Sequence, residues 1–235
     1  MRRIPEIHNY CNHWCERCPL AHRCGVYQVN SQGADISILS EGIEPAQEKH
    51  VFKDINLKAN ADLEEVIKKQ EAKTPLNLSE HPLMQNLLHW EDFHQNTVGY
   101  LKKDLLPAYL AMPILRKQKE QEIDNAFSIL EYYQGFLRPK LSRALGGKHD
   151  FVEGLELMQS DWNGTAKLAL LVLEDIIKAI EKLLHYFDEN EAKLMRFWQL
   201  SQNLRDQMKH EFPYARNFVR PGFDTLGLGH NLGFE

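Results

Sequence analysis

The chain lacks a long apolar run, a surplus of positive charge, and any cysteine beyond residue 24. Its longest apolar run is Leu168 to Leu173, against the roughly 20 residues that a membrane span requires. Arg2 and Arg3 are followed by Ile4-Pro5-Glu6 and not by an apolar stretch, so no secretory leader is expected. A formal net charge of −5 over 235 residues argues against general affinity for nucleic acid, whose phosphates demand a basic surface. These absences together predict a soluble cytoplasmic protein that uses neither a membrane nor nucleic acid as a partner. The sequence also has no βαβ alternation, no internal repeat and no low-complexity tract, which excludes the parallel-sheet and solenoid classes.

What is present divides into four regions. Residues 1–30 hold all four cysteines, Cys11, Cys15, Cys18 and Cys24. Residues 31–78 are polar and broken by Gly33, Gly42, Pro45 and Pro75; a short extended piece at Ile36 to Leu39 and a short helix at Ala61 to Lys69 are expected within this covering excursion. Residues 79–212 follow a helical period, and residues 213–235 form an irregular tail.

Ser79 is expected to cap a first long helix with Pro82 in its opening turn. Leu83, Leu87, Trp90, Val98, Leu101 and Leu105 recur along one face, and Pro107 and Pro113 end the segment. A second helix is expected through Ile123, Phe127, Leu130, Leu137, Leu141 and Leu145, kinked at Pro139 and closed by Gly146-Gly147. A third covers roughly 150–187 with Gly164 as its weak point, apolar around much of its girth beyond Leu168. A fourth covers roughly 190–211 and stops before Pro213. The fold class that follows is all-α, an antiparallel bundle of about four main helices with an N-terminal metal-binding loop.

The cysteines are spaced C-x3-C-x2-C-x5-C. Four soft thiolates in one short loop suit a tetrahedral zinc ion or the corners of an iron–sulfur cluster, and a reducing compartment disfavours disulfides. The expected cofactor is a [4Fe–4S] cluster, with zinc as the alternative. His13 and His22 could replace one thiol in either case. C-x3-C-x2-C also matches the radical-SAM string. That class needs a βα barrel, and Cys24 would occupy the iron position that its co-substrate requires.

Polar residues in the apolar phase of the helices supply further candidates. Glu91 and His94, at i and i+3, form half of a di-iron carboxylate motif; no second Glu-x-x-His occurs in the chain. Asp161 falls in phase with Thr165, Leu168 and Val172 and is expected to face the core, or to pair with Lys167 or Arg143. Asn163 and Lys167 form a neighbouring stripe, and Gly164 permits a close approach. Glu91, His94, Asp161 and Lys167 are thus the catalytic candidates, and Asn163 and Arg220 the candidates for binding a cofactor. Glu174, Lys178, Glu181, Lys182 and His185 read as a solvated stripe of i, i+4 pairs. In the tail, Arg220-Pro221-Gly222-Phe223 reads as a turn with an aromatic anchor. Arg17, Arg23, Arg216 and Arg220 are expected to line a cleft at the cysteines.

Two resemblances follow from these motifs. The half-motif Cys15, Cys18, Cys24 with Pro19-Leu20 inside it resembles the [4Fe–4S] loop of DNA glycosylases of the endonuclease III class. Their first cysteine lies farther upstream and their helix-hairpin-helix is missing here, so the resemblance covers the metal loop alone and implies nothing about DNA repair. The Trp14-Cys15-Glu16-Arg17-Cys18-Pro19 head, the Asp161-x-Asn163-Gly164-x-Ala166-Lys167 helix and the Arg220-Pro221-Gly222-Phe223-Asp224 tail together resemble an uncharacterised group of bacterial hypothetical proteins of this size. That resemblance implies co-occurrence of three motifs and no activity.

The function expected is an iron–sulfur protein with a redox or sensing role and a polar pocket within the bundle, served by a protein or small-molecule redox partner. The alternatives are a zinc-stapled protein-interaction module and a metal-dependent oxidase using Glu91, His94 and Asp161.

Overall fold

The computed structural model describes residues 3–36, 73–105, 107, 118–151, 157–187 and 192–225. Among them it is helical and contains no strand. The helices are α1 (Gly25–Gln32), α2 (Pro82–Tyr100), α3 (Gln118–Tyr132), α4 (Leu137–His149), α5 (Asp161–Tyr186) and α6 (Ala192–Glu211). The extended piece beyond Ile36, the helix at 61–69, Pro113 and the tail after Thr225 lie outside the described residues.

α5 is the axis of the body. It packs against α3, α4 and α6, and α2 packs against α6, α4 and α3. Its buried face runs from Trp162 through Leu168, Val172, Ile176 and Ile180 to Leu184, as its apolar girth predicts. None of the described helices is long and apolar enough to cross a membrane.

Local physics revises several expected boundaries. The cap of α2 is His81, not Ser79: its ring Nδ1 accepts the Leu83 amide at 3.2 Å, one residue before Pro82. The expected second helix is two helices, because Gly135 adopts φ +71° in the turn that follows α3, a left-handed geometry that suits glycine and stops a helix. Pro139 then falls in the first turn of α4, where its missing N–H is harmless, and produces no kink. Gly146-Gly147 do not close α4, which continues to His149. A Cβ at Gly147 would stand 3.0 Å from Trp162 Cβ, so this glycine permits close approach of α5. The third helix begins at Asp161, and Gly164 is a contact point within its first turns.

Candidate metal centre

The N-terminal head is built from three short 3-10 turns, Ile7–Tyr10, Cys15–Arg17 and Ala21–Arg23. Backbone bonds of i to i+3 type link the last two: Cys18 N to Cys15 O at 3.2 Å, Ala21 N to Cys18 O at 3.2 Å and Cys24 N to Ala21 O at 3.0 Å. The two turns are separate, each ending on an extended cysteine, Cys18 and Cys24, and Cys15, Cys18, Ala21 and Cys24 all line one cavity. Cys11 arrives at the same place from the preceding turn. His13, at φ +62°, reverses the chain between Cys11 and Cys15.

The result is a small cavity of about 20 Å³ lined by all four cysteines together with Ile7, Ala21 and Phe223. Cys24 is buried, the other three are half-buried, and all four are free thiols. Burial first, and then the neighbouring Cys24, Cys18 and Cys15, push the Cys11 thiol up to about 11. Cys15 and Cys18 are likewise raised, by burial first and then by Cys24. Opposing this, the His13 amide donates to the Cys11 sulfur, and the Leu20 and Ala21 amides donate to that of Cys18. Mutual repulsion among thiolates is what a bound cation relieves, and amide donors to sulfur are the contacts that tune thiolate-held metals. The donor set thus fits a soft metal ion or an iron–sulfur cluster. Among the described residues, no group of three or more His, Cys, Asp or Glu side chains is closed into ligating geometry.

The loop is fastened to the body by aromatic contacts. Trp14, 8% exposed, stacks on Tyr132 with centroids 4.2 Å apart and meets Tyr133 edge-on. Asn12 donates from Nδ2 to Tyr133 OH at 2.8 Å and accepts the Trp14 amide at 3.2 Å. Arg17 lies over the Trp14 ring at 4.0 Å and donates to Asn125.

The tail reaches the same cavity. Phe223 joins Ile7, Leu20 and Cys24 in a small apolar cluster. Gly222 takes φ +78°, and a Cβ there would meet Ile4 Cδ1 at 2.8 Å and Ile7 Cδ1 at 3.0 Å. Gly164 of α5 sits equally close to Tyr10 and Phe218, each 2.6 Å from where its Cβ would be. The three motifs singled out in the sequence are therefore one set of contacts: the head, the first turns of α5 and the tail meet.

The remaining candidates have partners of their own. His94 is 1% exposed, and its Nε2–H donates to the Leu130 carbonyl, near the C-terminus of α3, at 2.8 Å. Burial lowers its pKa to about 4, so the ring is neutral. Glu91 accepts the Arg138 amide in the first turn of α4 and is raised chiefly by burial. The i, i+3 pair thus straddles the α3–α4 turn and satisfies one helix end on each side. These contacts satisfy the His94 Nε2–H, whereas Glu91 Oε1 is buried without a partner among the described residues.

Asp161 does not face the core. As the first residue of α5 it is half exposed, accepting from Arg143 Nε and Nη2 at 3.0 and 2.6 Å and from Tyr10 OH at 3.1 Å. A carboxylate in that turn also complements the helix dipole. No hydrogen bond joins Asp161 to Glu91 or His94 among the described residues. Asn163 is fully buried and donates to the Leu157 carbonyl at 2.6 Å, while its Oδ1 has no partner. Lys167 donates to the Phe218 carbonyl at 2.6 Å and to Asp224 Oδ2 at 2.7 Å.

The arginine cleft is not formed, since no arginine lines the cysteine cavity. Arg216 pairs with Glu174, and Arg220 is buried against Asp224. The α5 stripe is exposed at Lys178, Glu181, Lys182 and His185, but the partners of Lys182 and Glu181 lie on other elements and not at i, i+4: Lys182 pairs with Glu122 at 2.7 Å and Glu181 accepts from Trp198. Asn12, Tyr133, Phe223 and Asp224 were not singled out as site residues by pattern. The C-x3-C-x2-C-x5-C clustering in one short loop is the signal that brings the four thiols together. No family model matches the chain, and neither the curated proteins nor the solved structures contain a match.

Proposed function

We propose that the chain is a metal–thiolate protein in which Cys11, Cys15, Cys18 and Cys24 hold a [4Fe–4S] cluster with a redox or sensing role. An antiparallel helical bundle serves as its carrier. The observation that carries this reading is the convergence of all four thiols on one cavity. When bound, the cluster would supply one-electron chemistry. The chain's own residues would hold it, screen it on the Phe223 side and set its potential through hydrogen bonds to sulfur.

Anaerobic isolation followed by metal analysis and an absorption spectrum tests the proposal. The expected product is brown, absorbs broadly near ~400 nm and carries about four irons per chain. Zinc at one equivalent without iron would contradict the cluster and favour a second reading, a zinc-stapled interaction module. The stacking of Trp14 on Tyr132 favours that alternative, since a closed four-thiolate zinc site commonly fastens a segment to a body.

A further inference from the structure

The tail contains an ion-paired turn that does more than dock. Asp224 accepts from the Arg220 amide at 2.8 Å, from Arg220 Nη2 at 2.9 Å and from Lys167 Nζ at 2.7 Å. The turn is closed by Asp224 N to Arg220 O at 3.1 Å and by Gly222 N to Thr225 Oγ1 at 3.0 Å. Arg220 is 1% exposed and stands 5.0 Å from the Phe223 ring centre. A buried guanidinium held by one carboxylate is rigid, because breaking either partner strands the other. Phe223 lies inside this turn, with the held Arg220 guanidinium against its ring. The ring lines the cysteine cavity and packs against Cys24.

We propose that Phe223 is the cap of the thiol cavity and that Asp224, tied to Lys167 of α5, is its positioning residue. The cap controls the access of small molecules, such as oxidants, chelators and alkylating reagents, to the sulfurs on the Cys24 side. The inference deepens the metal–thiolate reading, and it concerns access to the thiols whether or not metal is present.

The test uses the reduced, metal-free full chain and iodoacetamide, with the alkylation rate of each cysteine followed by peptide mass spectrometry. Each variant is compared with the wild type cysteine by cysteine at pH values on both sides of the thiol titration, so a change in thiolate fraction is told apart from a change in access. Phe223→Ala is expected to speed modification of Cys24 by about tenfold or more. Phe223→Leu should restore most of the protection, and Asp224→Asn should give a smaller acceleration in the same direction. Val219→Ala, in the same tail but facing solvent, should leave all four rates unchanged. An unchanged Cys24 rate in Phe223→Ala with helix content retained overturns the cap, as does equal acceleration of all four cysteines in every tail variant. If Phe223→Ala does not fold, Asp224→Asn decides by the same criterion. Metal analysis of the wild-type chain separates the two claims. A chain that binds no metal contradicts the proposed function and leaves the cap standing, whereas unchanged labelling in a metal-binding chain removes the cap alone.

Discussion

In the body, a whole face of α5 from Leu168 to Leu184 is buried against three other helices. In the head, the buried apolar core is Ile7, Leu20, Cys24 and Phe223. At roughly 1.5–3 kcal/mol per fully buried large apolar side chain, the body has ample drive to fold and the head has little. Its turns rest instead on Trp14, on the Asn12–Tyr133 bond and on the tail. The contrast teaches that four thiols crowded into a weakly cored loop make sense when something else binds them together. A metal supplies that, because its binding energy becomes folding energy for the segment that holds it.

The largest effect that can break this comparison is a cavity in the body. Phe197 is fully buried among Trp90, Phe93 and His94, so Phe197→Ala should cost about 3–5 kcal/mol in chemical denaturation. A comparable loss from Leu20→Ala in the metal-free chain would mean that the head is cored as well as the body, and the distinction would fall.

Acid sharpens it next. The pKa of His94 is depressed from 6.5 to about 4, so its stabilisation is fully present above pH 6.5 and is lost as pH falls toward 4. A shift of that size corresponds to roughly 3 kcal/mol. A His94→Leu variant should lack this part of the pH dependence in urea titrations across that window. The tail responds lower. Arg220 and Lys167 outweigh burial and hold Asp224 at about 2, against an ordinary 3.8. The depressed value again means stability present above pH 3.8 and lost as pH falls toward 2, about 2 kcal/mol in all. Amide protection near residues 218–225, taken relative to the intrinsic exchange rate at each pH, should fall most steeply in that lower window.

The smallest effect is expected at Glu91. Replacement by Gln keeps an acceptor for the Arg138 amide, so stability should change by within about 1 kcal/mol, and the metal content should not change. Loss of metal from Glu91→Gln would revive a carboxylate-held site in the body.

The all-α class was legible in the sequence because the 3.6-residue apolar period is strong in α2, α5 and α6. The division between α3 and α4 was not, because Leu130 and Leu137 stay in phase across a turn whose break depends on the left-handed Gly135. The four cysteines were legible as one site from spacing. Of the two outcomes open to Asp161, pairing with Arg143 holds and facing the core does not, because phase extrapolated from Leu168 ignores that a first-turn residue points past the helix end. Glu91 and His94 looked like ligands because a polar pair on an apolar face needs partners, and here those partners are the ends of other helices. That the tail docks at the head was legible from the Phe223 anchor, but that Phe223 and not Arg220 reaches the cysteines was not, since no local pattern says which side chain of the turn points inward.

X-ray absorption spectroscopy at the metal edge of anaerobically isolated protein tests the central claim most directly. A first shell of sulfur alone, with metal–metal scattering beyond it, is predicted for four cysteines holding one cluster. A chain isolated without metal and with four titratable thiols, or a first shell of nitrogen and oxygen, would contradict it.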